Sequence, residues 1–244
     1  MASTLLVKEI YYSIQGESTW AGLPCLFIRL SGCDLRCSYC DSVYSFRGGK
    51  KMSIEEVIAE VEKGVDPPAI SSRDVLLPLI EITGGEPLLQ KSVRPLMDQL
   101  CEKGFKVLIE TSGAHSIQEI HPAVCRIMDL KCPSSGESDR MLWDNIQFLR
   151  DSDEVKFVIT SEEDYEWAKQ MIERYDLARI CPILFSSVAP LTPSQQSQEL
   201  KIMPDSHSVL SREGLVEWVL RDRLPVRFQL QMHKFIWPPD QTGV

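Results

Sequence analysis

Cys33, Cys37 and Cys40 place three thiols within eight residues, spaced Cys-x-x-x-Cys-x-x-Cys, with Tyr39 before the last and Asp41 after it. A closed structural zinc site takes four ligands, so three thiolates are one short. Three cysteines that hold a [4Fe–4S] cluster leave one iron without a protein ligand, able to bind a small molecule and pass it an electron. Thiols that bind zinc, or nothing, are the plain alternative. Downstream, Thr83-Gly84-Gly85-Glu86-Pro87 joins a carboxylate to glycines, which let backbone approach a ligand closely. Taken alone, that segment also reads as a tight turn. Glu110-Thr111-Ser112-Gly113, Asp129-Leu130-Lys131 and Phe185-Ser186-Ser187 bring further polar groups. Arg29, Lys131 and Lys156 are candidate single contacts for an anion.

These segments can act together only if the fold gathers them. Strand-like runs are expected over residues 25–30, 79–82, 106–109, 127–130, 155–159 and 180–185, with a last one over 226–232. Helices are expected between them. One covers 53–63, with a Ser53–Glu56 capping box and Gly64 at its end, and another covers 92–103, closed by Gly104. Ser161 caps a third, carrying Tyr165, Ala168, Ile172 and Tyr175, and a fourth covers 210–220. Strand-then-helix order implies right-handed crossovers and a parallel sheet. The expected fold class is α/β: a partial, open (β/α) barrel with a mainly parallel curved sheet, one domain over 1–244. Ligands in such folds sit at the C-terminal ends of the strands. The cysteine loop and the four later segments each follow a strand, so all five would meet at one rim.

Composition narrows the partners. A formal charge of −9 argues against a nucleic-acid groove, which needs a basic stripe, and favours a small-molecule substrate. No apolar run reaches the ~18 residues of a membrane span. Residues 1–8 do not read as a secretory signal, so a cytoplasmic setting with reduced thiols is expected. Cys25, Cys101, Cys125, Cys132 and Cys181 then read as small buried hydrophobes, Cys132 being set apart by the polar run Pro133-Ser134-Ser135 beside it.

The cysteine spacing, with an aromatic residue before the third cysteine, resembles the signature of the radical S-adenosylmethionine (SAM) superfamily. The resemblance implies a [4Fe–4S] cluster on Cys33, Cys37 and Cys40. It also implies SAM chelated by the free iron and cleaved reductively to a hydrogen-abstracting 5′-deoxyadenosyl radical. It assigns Tyr39, Cys40, Asp41, Gly84, Gly85 and Glu86 to SAM, with Glu86 near the amino group. Ser112, Asp129, Leu130 and Lys131 join them, as do Phe185, Ser186 and Ser187.

A finer resemblance is to the 7-carboxy-7-deazaguanine synthases, radical SAM lyases of queuosine and 7-deazapurine biosynthesis. Four segments carry it: Ile14-Gln15-Gly16-Glu17; Gly22-Leu23-Pro24 leading to Phe27-Ile28-Arg29; Cys40-Asp41-Ser42; and the tail from Gln231-Met232-His233-Lys234 to Gly243-Val244. Residues 46–51 and 186–203 match nothing assignable. The resemblance implies 6-carboxy-5,6,7,8-tetrahydropterin as substrate, ring contraction with loss of ammonia, and SAM regenerated. A pterin needs edge recognition and a carboxylate partner, which suits the Gln15 amide and the Arg29 fork. Ile14 and Gly16 backbone, Thr83, His233 and Val244 are implied as further substrate contacts. The family binds Mg²⁺ two residues after the last cysteine, here Ser42, whose hydroxyl is a hard ligand. A flavodoxin or ferredoxin reductant and a homodimer are implied as well. Two alternatives share the cysteines: another radical SAM enzyme, such as a glycyl-radical activase, and a non-enzymatic metal-stabilised binding module. Iron and acid-labile sulfide, against zinc, separate the last from the rest.

Overall fold

The computed structural model describes residues 3–65, 71–72, 75–76, 78–204, 207 and 209–244. β1 (Thr4–Ile14) and β2 (Pro24–Leu30) form an antiparallel pair, with Tyr11 opposite Phe27 and Ile14 opposite Pro24. β3 (Lys50–Ser53) returns antiparallel to β1. α1 (Ile54–Gly64) follows at once; its Ser53–Glu56 capping box forms, and it buries Ile54, Val57, Ile58 and Val61. Gly64 is the last residue of this helix, one beyond the expected end at residue 63, and a side chain there would strike Leu26 of β2.

A two-residue antiparallel pair, β4 (Ser71–Ser72) and β5 (Val75–Leu76), precedes β6 (Leu79–Gly84). α2 (Val93–Glu102) leads to β7 (Val107–Thr111), β8 (Cys125–Asp129) and β9 (Glu154–Ile159); β7 and β8 are joined without a helix, and only short 3-10 turns separate β8 from β9. α3 (Glu162–Arg174), capped by Ser161, β10 (Ile183–Ser187), α4 (Arg212–Asp222), β11 (Arg227–Gln229) and α5 (His233–Ile236) complete the chain.

Among the described residues the main sheet has nine strands, in the order β11-β10-β9-β8-β7-β6-β2-β1-β3. Every pairing from β2 to β11 is parallel, and β1 and β3 are antiparallel additions at one side. The α/β class and the open, mainly parallel sheet are as expected. Two elements differ. β1 is a long strand, although its polar and aromatic middle gives no clean alternation. The strand expected over 226–232 stops at Gln229, and the chain turns into α5, because Met232 N–H donates to Gly16 O at 2.9 Å.

Side chains alternate across a strand. One face of the sheet packs on the helices through Ile28, Ile80, Ile82, Ile109 and Phe157, all at most 1% exposed. On the other face Cys25, Phe27, Leu79, Leu108, Cys125 and Ile127 cluster with Tyr11, Trp20 and Leu23. Two residues further along, this face becomes polar, with Arg29, Glu81, Thr83, Glu110 and Asp129. The apolar cluster therefore plugs one end, and the polar layer above it forms the base of a site. No helix among the described residues is long and apolar enough to cross a membrane.

Candidate active site

The strand ends open into a cavity of about 430 Å³, within the range of small-molecule sites. Cys33, Cys37 and Cys40 line it from the loop after β2. That loop is tied down at several points. Ser38 N–H donates to Ser135 O at 3.0 Å, and its hydroxyl to Ser134 O at 2.6 Å; Arg36 N–H donates to Glu137 Oε1 at 2.6 Å. Burial raises all three thiols, Cys37 to about 11 and Cys40 to about 12, so metal binding must displace their protons. No three Cys, His, Asp or Glu side chains among the described residues close on a single ion, as a zinc site would require.

Gly84 and Gly85 press against the root of this loop. Gly84 has φ +155°. A Cβ there would meet Leu30 O, and one on Gly85 would meet Gly32 O, as well as Cys33 Cβ at 2.7 Å. Glu86 N–H donates to Gly32 O at 2.8 Å, locking the glycine pair beneath the cysteines.

Glu86 departs from its expected role. It is fully buried, and its carboxylate is occupied by Thr111 Oγ1 (2.9 Å), Ser112 N (2.8 Å), Ser112 Oγ (2.6 Å) and Leu88 N (3.0 Å). It braces the end of β7 and sets Ser112, which does line the cavity. The Leu130 and Phe185 side chains likewise pack in the core on the helix face, because strand alternation turns them away. Ser186 and Ser187 are buried and do not line this cavity, which Val188 and Ala189 reach instead.

Tyr39, Asp41, Asp129 and Lys131 are at the cavity. Lys131 Nζ donates to Asp129 Oδ2 at 2.7 Å. The Tyr39 hydroxyl and Asp129 Oδ1 are buried without partners among the described residues, polar atoms that a ligand could satisfy. Three thiols on one wall, a close-packed glycine pair below them and orphaned polar atoms beside them fit a cluster with SAM.

Ion pairs also line the cavity. Arg29 Nε donates to Glu9 Oε1 at 2.9 Å and Nη2 to the Tyr11 hydroxyl at 2.9 Å, while Tyr44 donates to the same Glu9 oxygen at 2.7 Å. Lys156 is not a free anion contact. Its ammonium is 2.7 Å from Glu17 Oε2 and 3.5 Å from Asp129 Oδ2, and it also pairs with Glu110. Burial would lower Lys156, but Glu110 and then Glu17 overrule it and hold it charged. The Gln15 amide donates to Glu81 and accepts from Glu17 N–H at 3.0 Å. Ile14, Gly16, Thr83, His233 and Val244 all line the cavity.

α5 brings His233 and Lys234 to the cavity. His233 packs on Gly16, where a Cβ would lie 2.5 Å from Nδ1. Lys234 Nζ binds Asp41, and Ser42 Oγ donates to Asp41 Oδ1 at 2.9 Å. Burial alone would raise the Asp41 carboxyl; Lys234 overrules it and holds it well below the usual range. Glu9, Tyr11, Glu17, Glu81, Glu110 and Lys234 were not picked out as site residues by the motifs. Counting back by two from Thr83 along β6 finds Glu81, and from Ser112 into β7 finds Glu110.

The radical SAM superfamily model matches residues 27–130. The chain is 43% identical over 242 residues to the 7-carboxy-7-deazaguanine synthase of Koribacter versatilis, covering 98% of this chain and 99% of that protein. It is 40% identical over 243 residues to the one from Chlorobaculum tepidum, covering 98% and 97%. This chain belongs to the 7-carboxy-7-deazaguanine synthase family. The crystal structure of QueE from Escherichia coli shares the fold, with a TM-score of 0.67 at 20% identity, covering 94% of this chain and 95% of that one. Family membership brings a [4Fe–4S] cluster and SAM, and it sets aside the activase and non-enzymatic alternatives.

Proposed function

We propose that this chain converts 6-carboxy-5,6,7,8-tetrahydropterin to 7-carboxy-7-deazaguanine with release of ammonia. The kinship at 43% identity over 98% of this chain carries the reading, and the polar cavity at the strand ends agrees with it. When bound, the cluster and SAM supply hydrogen-atom abstraction from the substrate C6. The chain's own residues do the rest. The apolar plug beneath Glu81 excludes water from one end, and the tail residues His233 and Val244 cover another side. Arg29 offers its charge to the substrate carboxylate from a guanidinium that Glu9 and Tyr11 hold in place. Gln15, Thr83 and the Ile14–Gly16 backbone take the ring edge. Asp129, Lys131, Ser112 and the glycine pair serve SAM.

Ser42 presents a hydroxyl to the cavity beside Asp41, a hard oxygen suited to Mg²⁺. A homodimer and a flavodoxin or ferredoxin donor belong to the same reading and rest on the family resemblance; a cytoplasmic setting rests on residues 1–8 and the unpaired cysteines. The test is anaerobic incubation of the iron-loaded protein with SAM, dithionite and the carboxypterin. A product lighter than substrate by one whole ammonia molecule is expected, and unchanged carboxypterin would overturn the reading.

A further inference from the structure

Glu81 belongs to none of the motifs. It sits on β6 between Phe27 of β2 and Leu108 of β7, with its side chain on the cavity face. Leu79, two residues before it, is part of the apolar plug, and Thr83, two residues after it, lines the cavity. Glu81 is 3% exposed. A carboxyl at this depth costs stability that an aliphatic side chain would not, unless its polar atoms are used.

One use is visible. Gln15 Nε2 donates to Glu81 Oε2, while Gln15 Oε1 accepts from Glu17 N–H. These two bonds fix which way the Gln15 amide points. Tyr11 and Phe27 stack beside the pair, with centroids 5.0 Å apart and planes at 12°, and give the floor an aromatic wall. The charged and titratable groups that face Glu81 are Glu110 on β7, Glu17 after β1, Lys156 on β9, Arg29 and Cys25 on β2, and Tyr11 on β1. Burial first, then the Glu110 and Glu17 carboxylates, push Glu81 well above the usual range, against the pull of Lys156 and Arg29. A protonated carboxyl that accepts on one oxygen can donate an O–H from the group as well.

We propose that Glu81 is a specificity-determining residue, forming with Gln15 a polar floor that gives a hydrogen bond to an acceptor atom on the edge of the flat heterocyclic substrate. The inference rests on the assignment of a pterin-class substrate to this cavity. A neutral donor at the floor selects a ring carbonyl or an unprotonated ring nitrogen, and disfavours an analogue with N–H at that position, because two donors would then face each other in a buried site.

The test compares wild type, Glu81→Gln and Glu81→Leu as iron-loaded enzymes, reading KM for the carboxypterin, kcat, SAM binding and iron content. The amide of Glu81→Gln can both accept from Gln15 and donate to substrate, so its KM near neutral pH should stay within about threefold of wild type. Glu81→Leu should raise KM by about tenfold or more, with iron content and SAM binding unchanged. Wild-type KM should rise with pH as Glu81 ionises, and Glu81→Gln should lack that rise. A Glu81→Leu enzyme with wild-type KM would overturn the inference, as would a Glu81→Gln enzyme as impaired as Glu81→Leu. If Glu81→Leu does not fold, the pH profile decides, and an unchanged rise of KM with pH in Glu81→Gln overturns it. Wild type that turns over while these outcomes fail defeats the inference alone; wild type inert toward the carboxypterin defeats the substrate assignment and the inference with it.

Discussion

Arg29 shows what a single side chain contributes to this cavity. Its guanidinium is buried against Glu9, Tyr11 and Tyr44, so its direction is set before a ligand arrives. Burial would lower its pKa, but Tyr11, Tyr44 and Glu9 raise it instead, and the charge is permanent. Arg29→Ala should weaken carboxypterin binding by about 2–5 kcal/mol, since a buried substrate carboxylate would lose its partner. Iron content and SAM cleavage without substrate should survive. Calorimetric titration of the two proteins reads this, and equal affinities would make Arg29 a purely structural ion pair. At this scale the sequence was legible for placement, since the three cysteines and Arg29 all line the cavity as their strand-end positions imply. It was not legible for Glu86, because a strand-end carboxylate can turn towards a ligand or back onto the next strand. Only the four donors of Thr111, Ser112 and Leu88 decide which. Glu81 escaped notice because it lies inside a run that otherwise reads as apolar strand.

Between elements, the Lys156 ammonium ties β9 to β7 through Glu110 and to the segment after β1 through Glu17. Burial works to raise Glu17, but Lys156 overrules it and brings the carboxyl down to about 2. A carboxyl lowered by folding adds stability above its unfolded value and loses it as pH falls towards the folded one. Wild type should therefore lose melting temperature as pH falls from about 4.5 to about 2, and Glu17→Gln should lose less over that window. Parallel melting curves for the two proteins would contradict the linkage. The tail turn α5 is held to the end of β1 through Gly16. Gly16→Ala should cost roughly 1–3 kcal/mol of overpacking and weaken carboxypterin binding, while iron content stays unchanged. Equal substrate affinity in Gly16→Ala would show that the His233 turn does not form part of the site. The strand-helix succession was readable from periodicity. β1 and α5 were not, because β1 mixes tyrosines with charges, and α5 is held by a contact to a residue more than two hundred positions earlier.

For the molecule as a whole, the order of motifs along the chain was the most informative signal. Each motif follows a strand, and a parallel sheet brings strand ends together whatever the loops between them do. The structure places Cys33, Cys37 and Cys40, Gly84 and Gly85, Ser112, and Asp129 with Lys131 around one cavity. The polar layer below them came from side-chain parity within the sheet and needed coordinates. On the proposed reading, this one cavity holds both a small anionic heterocycle and the cofactors of radical chemistry. The most direct test of that account counts product against SAM in the iron-loaded enzyme under anaerobic reduction. If SAM is regenerated, many equivalents of 7-carboxy-7-deazaguanine should form per SAM supplied, without matching 5′-deoxyadenosine, and Cys33→Ala should form none. SAM consumed to 5′-deoxyadenosine with no ring-contracted product would contradict it.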